Sequence, residues 1–148
     1  MTEREDNVIS KSDTFENDLI KLIFNGTAIA NIADNASSSP LTSLYLSLHT
    51  ADPGEAGNQT TSEISYTGYA RKAVTRNSGG FTVSGASVTL TTDNDFPKMT
   101  GGTGGTVTYF AVGTASSGTG KILYSGAVSP TITVQTGTIP RLEHSSGS

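Results

Sequence analysis

The feature that most constrains the fold is a change of hydrophobic period near residue 41. Four apolar residues before it fall on one face of a helix, with i, i+4, i+7 and i+8 spacing: Phe15, Leu19, Leu22 and Ile23. After it the helical period disappears, and short alternating segments separated by turn residues follow. The sequence therefore predicts one N-terminal helix followed by an all-β domain.

The limits of the helix can be read from its flanking residues. Asp13 and Glu16 have the spacing of a capping box, and Asn25–Gly26 is a favourable C-terminal stop. Residues 27–33 fit either a second short helix or a strand, and residues 35–40 form a loop. The predicted organisation comprises a flexible arm, a helical segment, a β-domain and a polar tail over residues 1–11, 12–34, 41–142 and 143–148.

The β-domain is divided by turn signals into short strands. Strands are predicted over residues 44–49, 66–76, 81–90, 106–112, 121–128, 131–135 and 138–142. The first is predicted to be half-buried, and residues 81–90 fit a hairpin or a bulged strand because Ser84–Gly85 shifts the alternation. Asp52–Pro53–Gly54 is a turn, and Ser129–Pro130 is expected to separate two strands. This spacing favours a single jelly-roll-like β-sandwich of about six to eight strands.

Composition supports this fold class. About two residues in seven are Ser or Thr, and there are 17 glycines. Threonine suits the pleated surface of a strand, whereas serine and glycine suit turns. Only 15% of residues are charged, but the apolar alternation predicts a packed core rather than a disordered chain.

Charge and residue usage exclude several classes of function. The net charge is −4, and the nine basic residues are scattered, with the densest group at Arg71, Lys72 and Arg76, so nucleic acid is not expected as a partner. The absence of cysteine excludes disulfides and thiolate metal sites. No apolar run predicts a membrane span or a signal peptide, so synthesis in the cytoplasm without secretion is expected.

Two groups of acidic residues contain side chains that can bind metal ions. His49, Asp52, Glu55 and Glu63 could converge on a metal, but a hydrogen-bonded histidine beside solvated acids is the simpler interpretation. The run 93–95, Asp-Asn-Asp, resembles the start of a calcium loop. It lacks the glycine and glutamate that an EF-hand requires at positions 6 and 12, so an Asx turn is favoured. No metal and no cofactor are predicted.

Catalytic motifs are also missing. Only two histidines exist, and His144 lies in the tail, so a serine nucleophile lacks an obvious base. The glycine-rich run Gly101–Gly105 does not match a phosphate-binding loop. The chain is therefore predicted not to be an enzyme. Five tyrosines could stack on sugars, although half-buried packing is the commoner role for this residue: Tyr45, Tyr66, Tyr69, Tyr109 and Tyr124.

The stretch LYLSLHTADPGEAGNQTTSEISYTGYARKAV carries a family resemblance. Together with the helical DLIKLIFNGTAIANI, the segment GGFTVSGASVTL, an F-P loop and VTYFAVGTASSGTGKILYSGAV, it resembles a small tailed-bacteriophage family, usually labelled phage tail fibre or tail protein (Gp80-like). The resemblance covers Asp18 to Arg141 and includes the order of the motifs.

The resemblance implies a non-enzymatic structural protein of a virion, associated with the tail as part of a fibre or baseplate. It would be made in the host bacterial cytoplasm and act by assembly with copies of itself, as a homotrimer, and with other virion proteins. Two alternatives are a capsid decoration or cement protein and a lectin-like module that binds a host surface glycan. No membrane or nucleic acid is expected as a partner.

The loops at residues 50–65 and 91–105 are the predicted contact surfaces, since loops on a β-scaffold commonly carry recognition. The candidate interaction surface consists of His49, Asp52, Glu55, Glu63, Tyr66, Tyr69, Arg71, Asp93, Asp95, Phe96 and Tyr109.

Overall fold

A computed structural model describes residues 11–29, 33 and 40–144. Within this part, the chain is mostly β with one N-terminal helix. The elements in chain order are α1 (Asp13–Asn25), β1 (Ser43–His49), β2 (Lys72–Thr75), β3 (Phe81–Ser84), β4 (Ser87–Leu90), β5 (Asn94–Asp95), β6 (Gly105–Gly113), β7 (Ile122–Val134) and β8 (Arg141–Leu142). Residues 1–10 of the predicted arm, residues 30–32 of the 27–33 segment and residues 145–148 of the tail lie outside the described residues, as does all but Pro40 of the predicted loop at 35–40.

Helix α1 begins one residue earlier than the predicted capping box requires. Ser12 is the N-cap, and its side-chain oxygen accepts a hydrogen bond from the backbone N–H of Phe15 at 3.3 Å. The capping box of Asp13 and Glu16 is therefore wrong. Both acids instead lie in the first turn, where a negative charge favours the positive end of the helix dipole.

The C-terminus of α1 ends as predicted, at Asn25. Gly26 adopts a left-handed conformation with φ of 65°, which favours glycine at a helix end. The last turn of α1 contains no basic residue, but the Arg76 side chain donates hydrogen bonds to the backbone carbonyls of Leu22 and Ile23. Arg76 follows β2 directly and therefore joins the helix to the main sheet.

The main sheet has four antiparallel strands in the order β2-β1-β6-β7. Strand β1 was predicted to be half-buried, but Ser47 and His49 are 0% exposed, like the leucines that alternate with them. The prediction was wrong because β1 lies inside the sheet and the loop after it folds over its second face. Alternation of polar and apolar residues does not reveal such cover.

Strand β7 runs continuously through Ser129–Pro130, where two separate strands were predicted. Residues 128–131 of β7 lie between the pairs Tyr109↔Ala127 and Val107↔Ile132, so they bulge opposite Thr108 of β6. The Ser129–Pro130 peptide is cis. Proline lacks an N–H and is tolerated at bulges and in edge strands, and β7 is the edge of this sheet.

The predicted extended segment at residues 66–76 is only partly confirmed. Strand β2 covers Lys72–Thr75, but the chain turns between Tyr66 and Tyr69, whose N–H donates to the Tyr66 carbonyl at 3.0 Å. Thr67 then forms an isolated bridge with Gly101 in the later loop. The chain leaves the main sheet here to reach a distant loop, which a local pattern cannot predict.

Two small sheets complete the fold. Strands β3 and β4 form a hairpin, which is one of the two structures predicted for residues 81–90. Strand β5 pairs with β8. The long loop predicted at residues 91–105 thus contains a short strand, and the last strand joins β5 rather than the main sheet.

One hydrophobic core joins these elements. Phe24 of α1 is 1% exposed and packs edge-on against Phe81 of β3, with ring centroids 4.8 Å apart. Leucines of β1 and Phe96 and Met99 of the 91–105 loop belong to the same cluster. None of the described sheets closes into a barrel.

Candidate interaction surface

The loop at residues 50–65 starts at the predicted turn and returns to the sheet. The Gly54 N–H donates to the Asp52 carboxylate at 2.9 Å, and Gly54 has a φ of 70°. The Ile64 N–H then donates to the Leu48 carbonyl at 2.9 Å. Because β2 pairs only with Ser43–Leu46, the returning loop occupies the part of the β1 edge that β2 leaves free.

His49 has a structural environment. Its Nδ1 lies 2.7 Å from the Thr61 carbonyl, which can only accept, so Nδ1 carries the proton and Nε2 accepts from the Ser47 hydroxyl at 2.9 Å. Burial lowers the pKa of His49 below its ordinary value. Asp52 and Glu55 are exposed to solvent. No three His, Asp or Glu side chains of the described residues converge as metal ligands.

Arg71 clamps two loops together. Its Nε donates to the Glu63 carboxylate at 2.7 Å and its Nη2 does so at 3.2 Å, forming a bidentate pair. Its remaining donors reach the carbonyls of Ala115 and Gly118 at 3.0 and 2.7 Å. The Arg71 side chain is 2% exposed, and its charge is therefore satisfied internally.

Gln59 forms a second connection between the same loops. Its side-chain oxygen accepts from the Ala115 N–H, and its backbone N–H donates to the Gly120 carbonyl, both at 2.9 Å. A Cβ atom at Gly113 or Gly120 would overlap the Gln59 amide. Glycine is required at both positions so that this buried side chain can fit between them.

Three of the four aromatic residues of the predicted surface, Tyr66, Tyr69 and Phe96, form an internal cluster. The rings of Tyr66 and Tyr69 meet edge-on at 5.2 Å, and those of Tyr69 and Phe96 are parallel at 6.4 Å. Tyr66 donates to the Pro97 carbonyl at 2.7 Å, and Tyr69 donates to Glu63 at 3.3 Å. Burial raises the pKa of Tyr69 far above its ordinary value. These contacts give Tyr66 and Tyr69 packing roles, and glycan binding by the other tyrosines stays a prediction.

The acidic run at residues 93–95 pairs with the C-terminal strand. Arg141 makes a bidentate pair with Asp95, at 2.6 and 3.1 Å, and Asp93 accepts from the ring Nδ1 of His144 at 2.8 Å. These hydrogen bonds lower the pKa of both aspartates. Asn94 donates to the Thr92 carbonyl at 2.8 Å and lies in β5. This contact is not the predicted Asx turn, in which a side-chain oxygen accepts from the backbone N–H two residues later.

The eleven predicted residues therefore divide by burial. Their buried members are His49, Tyr66, Arg71 and Phe96, and their half-buried members are Glu63, Tyr69 and Tyr109. Only Asp52, Glu55, Asp93 and Asp95 present exposed side chains. Contact between these loops and another protein stays a prediction, and the four exposed acids are the residues on which it rests.

An apolar groove was missed in the sequence. It has a volume of about 350 Å³ and lies between the main sheet and the layer formed by α1 and the β3–β4 hairpin. Phe24, Phe110 and Tyr124 are among its lining residues. Tyr124 is 44% exposed although its ring lies 5.2 Å from that of Phe24. The one sequence signal for this groove is Tyr124, an aromatic residue in a strand that contains no charged residue.

Comparison with known proteins supplies the remaining observations. A family model described as "Podophage GP4 fiber I protein gp80" matches residues 10–146. A search of curated proteins finds no match. Among the described residues, no helix has the length and apolar character needed to cross a bilayer.

Proposed function

Because the chain belongs to the podophage GP4 fiber I protein gp80 family, we propose that it is a non-enzymatic structural protein of the phage tail, in the fibre or baseplate region. The match over residues 10–146 carries this proposal and confirms the family resemblance of the motifs in residues 18–141. The family is one of phage fibre proteins, which supports a place in the virion.

The contacts of the loops support a structural role. Arg71, Gln59 and the aromatic cluster hold the loops of the chain to one another with buried side chains. A charge that is fully paired inside the protein is not available as an acid, a base or a ligand. We place α1 and the small sheets as a second layer over the main sheet, which makes the domain sandwich-like as the sequence predicts.

Assembly with other virion proteins is the mechanism we propose. A cysteine-free domain must rely on packing and hydrogen bonds between subunits rather than on disulfides. The exposed acids Asp52 and Glu55 offer a surface for basic or amide-rich neighbours. Asp93 and Asp95 are also exposed, but they already pair with His144 and Arg141 of the same chain. The threefold symmetry expected from the resemblance stays a prediction.

Cryo-electron microscopy of intact virions tests the location. Fitting this chain into density at the tail fibre or baseplate is the expected result. Density spread over the capsid would replace the proposal with a decoration protein, and absence of the chain from purified virions would reject a structural role altogether. Labelling with an antibody to the chain provides an independent control on the fit.

A further inference from the structure

The dipeptide Asn25–Gly26 joins the end of α1 to the chain that follows it. The sequence contains eight asparagines, and Asn25 is the one that a glycine follows. Asparagine is a thermolabile residue, because the backbone nitrogen of the next residue can attack the carbon of its side-chain amide. Glycine has no Cβ atom to hinder that approach. Asn25 is therefore expected to be the most reactive asparagine of the unfolded chain.

In the folded chain, both groups that would react are held by hydrogen bonds. The Gly26 N–H donates to the Lys21 carbonyl, and Gly26 has the left-handed φ of 65° that ends the helix. The side-chain Nδ2 of Asn25 donates to the Phe81 carbonyl of β3 at 2.9 Å. The first contact keeps the proton on the attacking nitrogen, and the second keeps the side-chain amide turned toward the β3–β4 hairpin.

The contact with Phe81 also couples two elements of the fold. A second asparagine of α1, Asn17, donates to the Gly85 carbonyl at 2.6 Å, so two side-chain amides attach the helix to the hairpin. The Asn25 contact is partly buried beside the core, where Phe24 packs edge-on against Phe81. The Asn17 contact is exposed. Loss of the Asn25 donor therefore affects the more buried of the two attachments.

We propose that Asn25–Gly26 is a deamidation site that the folding of α1 protects. When the helix end opens, the Gly26 nitrogen loses its proton to solvent and forms a bond to the side-chain carbonyl carbon of Asn25. The bond from that carbon to Nδ2 breaks, and the nitrogen takes up a proton and leaves as ammonia. Water then opens the resulting succinimide ring at either carbonyl, which leaves aspartate or isoaspartate.

Either product loses the attachment to the hairpin. A carboxylate has no N–H and cannot donate to the Phe81 carbonyl. A negative charge at the C-terminal end of a helix is also unfavourable. Isoaspartate in addition inserts a methylene group into the main chain directly after Phe24. Folding before modification therefore preserves a contact on which the position of α1 depends.

Peptide mapping by mass spectrometry measures the reaction at each asparagine. The full chain is incubated in mildly alkaline buffer with and without guanidinium chloride. In the denaturant, Asn25 should convert faster than Asn77, which a serine follows. In buffer alone, conversion at Asn25 should be at least about tenfold slower than in the denaturant, because only the chains with an open helix end react.

Arg76 and Lys72 supply a matched pair of variants. The Arg76 side chain donates to the carbonyls of Leu22 and Ile23 in the last turn of α1. Arg76→Ala should therefore open the helix end more often and raise the rate at Asn25 in buffer about tenfold. Lys72→Ala, in β2, should leave that rate unchanged. In the denaturant, both variants and the unaltered chain should react equally fast.

Equal rates in buffer and in denaturant, or an unchanged rate in Arg76→Ala, would overturn the protection by α1. A rate at Asn25 no higher than at Asn77 in denaturant would overturn the site. Urea unfolding of Asn25→Asp measures the consequence, with Asn17→Asp as the control at the exposed attachment. Asn25→Asp should have the lower midpoint, and equal midpoints would overturn the role of the Phe81 contact. These outcomes are independent of the tail location, which is decided on virions.

Discussion

At the scale of single residues, Arg71 has the most consequential environment. It is buried, forms a bidentate pair with Glu63 and donates to two carbonyls of the loop that precedes β7. A buried guanidinium is costly unless every donor is satisfied, and here the partners come from two separate loops. Removing the side chain leaves the Glu63 carboxylate, 16% exposed, without its cation.

We therefore predict that Arg71→Ala destabilises the fold by about 3–5 kcal/mol, the usual cost of breaking a buried pair from one side. Arg141→Ala is the matched control. It also removes the bidentate partner of a carboxylate, here Asp95, but at a site that is about half exposed. The control should cost much less, because water screens an exposed ion pair. Urea unfolding followed by circular dichroism measures both, and equal losses would contradict the structural role of Arg71.

His49 predicts a pH dependence of stability. Its pKa is lower in the folded chain than the ordinary 6.5, so the unfolded chain binds the proton more readily. The contribution of His49 to the free energy of unfolding should therefore have its full value above about pH 6.5 and should decrease as the pH falls below that value. Replacing His49 with Gln should lower stability overall and flatten this slope, measured by urea unfolding between pH 5 and 8.

The control for His49 is His144→Asn, which removes the other histidine at an exposed site. A slope that survives in the His49→Gln variant would assign it to another group. The pKa values of Asp93 and Asp95 are lowered from 3.8, so the stability that these acids contribute is lost only in a separate window, below about pH 4.

Residue chemistry could be predicted only in part. The simpler interpretation of His49 as a hydrogen-bonded strand residue agrees with its contacts to Ser47 and Thr61. Arg71 was predicted to lie on a contact surface, but its side chain is buried. The sequence could not predict this, because its carbonyl partners Ala115 and Gly118 are more than 40 residues away. Sequence patterns report local periodicity, and they carry no information on which distant carbonyls a side chain will reach.

At the scale of elements, α1 is held by a residue outside it. Arg76 donates to the carbonyls of Leu22 and Ile23 and also to that of Leu41. The carbonyls of Leu22 and Ile23 belong to the last turn of α1, where the helix provides no backbone partner. A cation at this end also interacts favourably with the helix dipole. The helix and the end of β2 are therefore coupled by one side chain.

We predict that Arg76→Ala lowers stability by about 1.5–3 kcal/mol, the range for hydrogen bonds to a charged group. Arg76→Lys should lose less, because the charge remains but the forked geometry is lost. Lys72→Ala is the control, since Lys72 lies in β2 just before Arg76 and makes no hydrogen bond to the helix within the described part of the chain. Urea unfolding gives the free energies, and an Arg76→Ala variant as stable as Lys72→Ala would reject this coupling.

Element types were predicted better than element connections. The helix end at Gly26, the β3–β4 hairpin and β6 follow from local patterns. The continuity of β7 through Pro130 does not, since it depends on the bulge opposite Thr108 of another strand. Ser12 rather than Asp13 caps α1 because both residue types suit the position, and only the backbone decides between them.

At the scale of the whole molecule, one core predicts one unfolding transition. Phe24 of α1, Phe81 of the hairpin and Leu46 of the main sheet share a single buried cluster. Far-ultraviolet circular dichroism and tyrosine fluorescence, which report on different parts of the chain, should therefore give the same urea midpoint. An earlier transition in the helical signal alone would show that α1 is a separate unit.

The order of the strands along the chain has a consequence for synthesis in the infected cell. Strand β1 lies inside the sheet, yet its neighbour β6 is encoded after residues 50–104. A ribosome adds about 5–20 residues per second, so β1 waits for several seconds with one edge and its leucines uncovered. We expect this incomplete chain to be the species most prone to aggregation during synthesis, because uncovered apolar residues and unpaired strand edges favour contact with other chains.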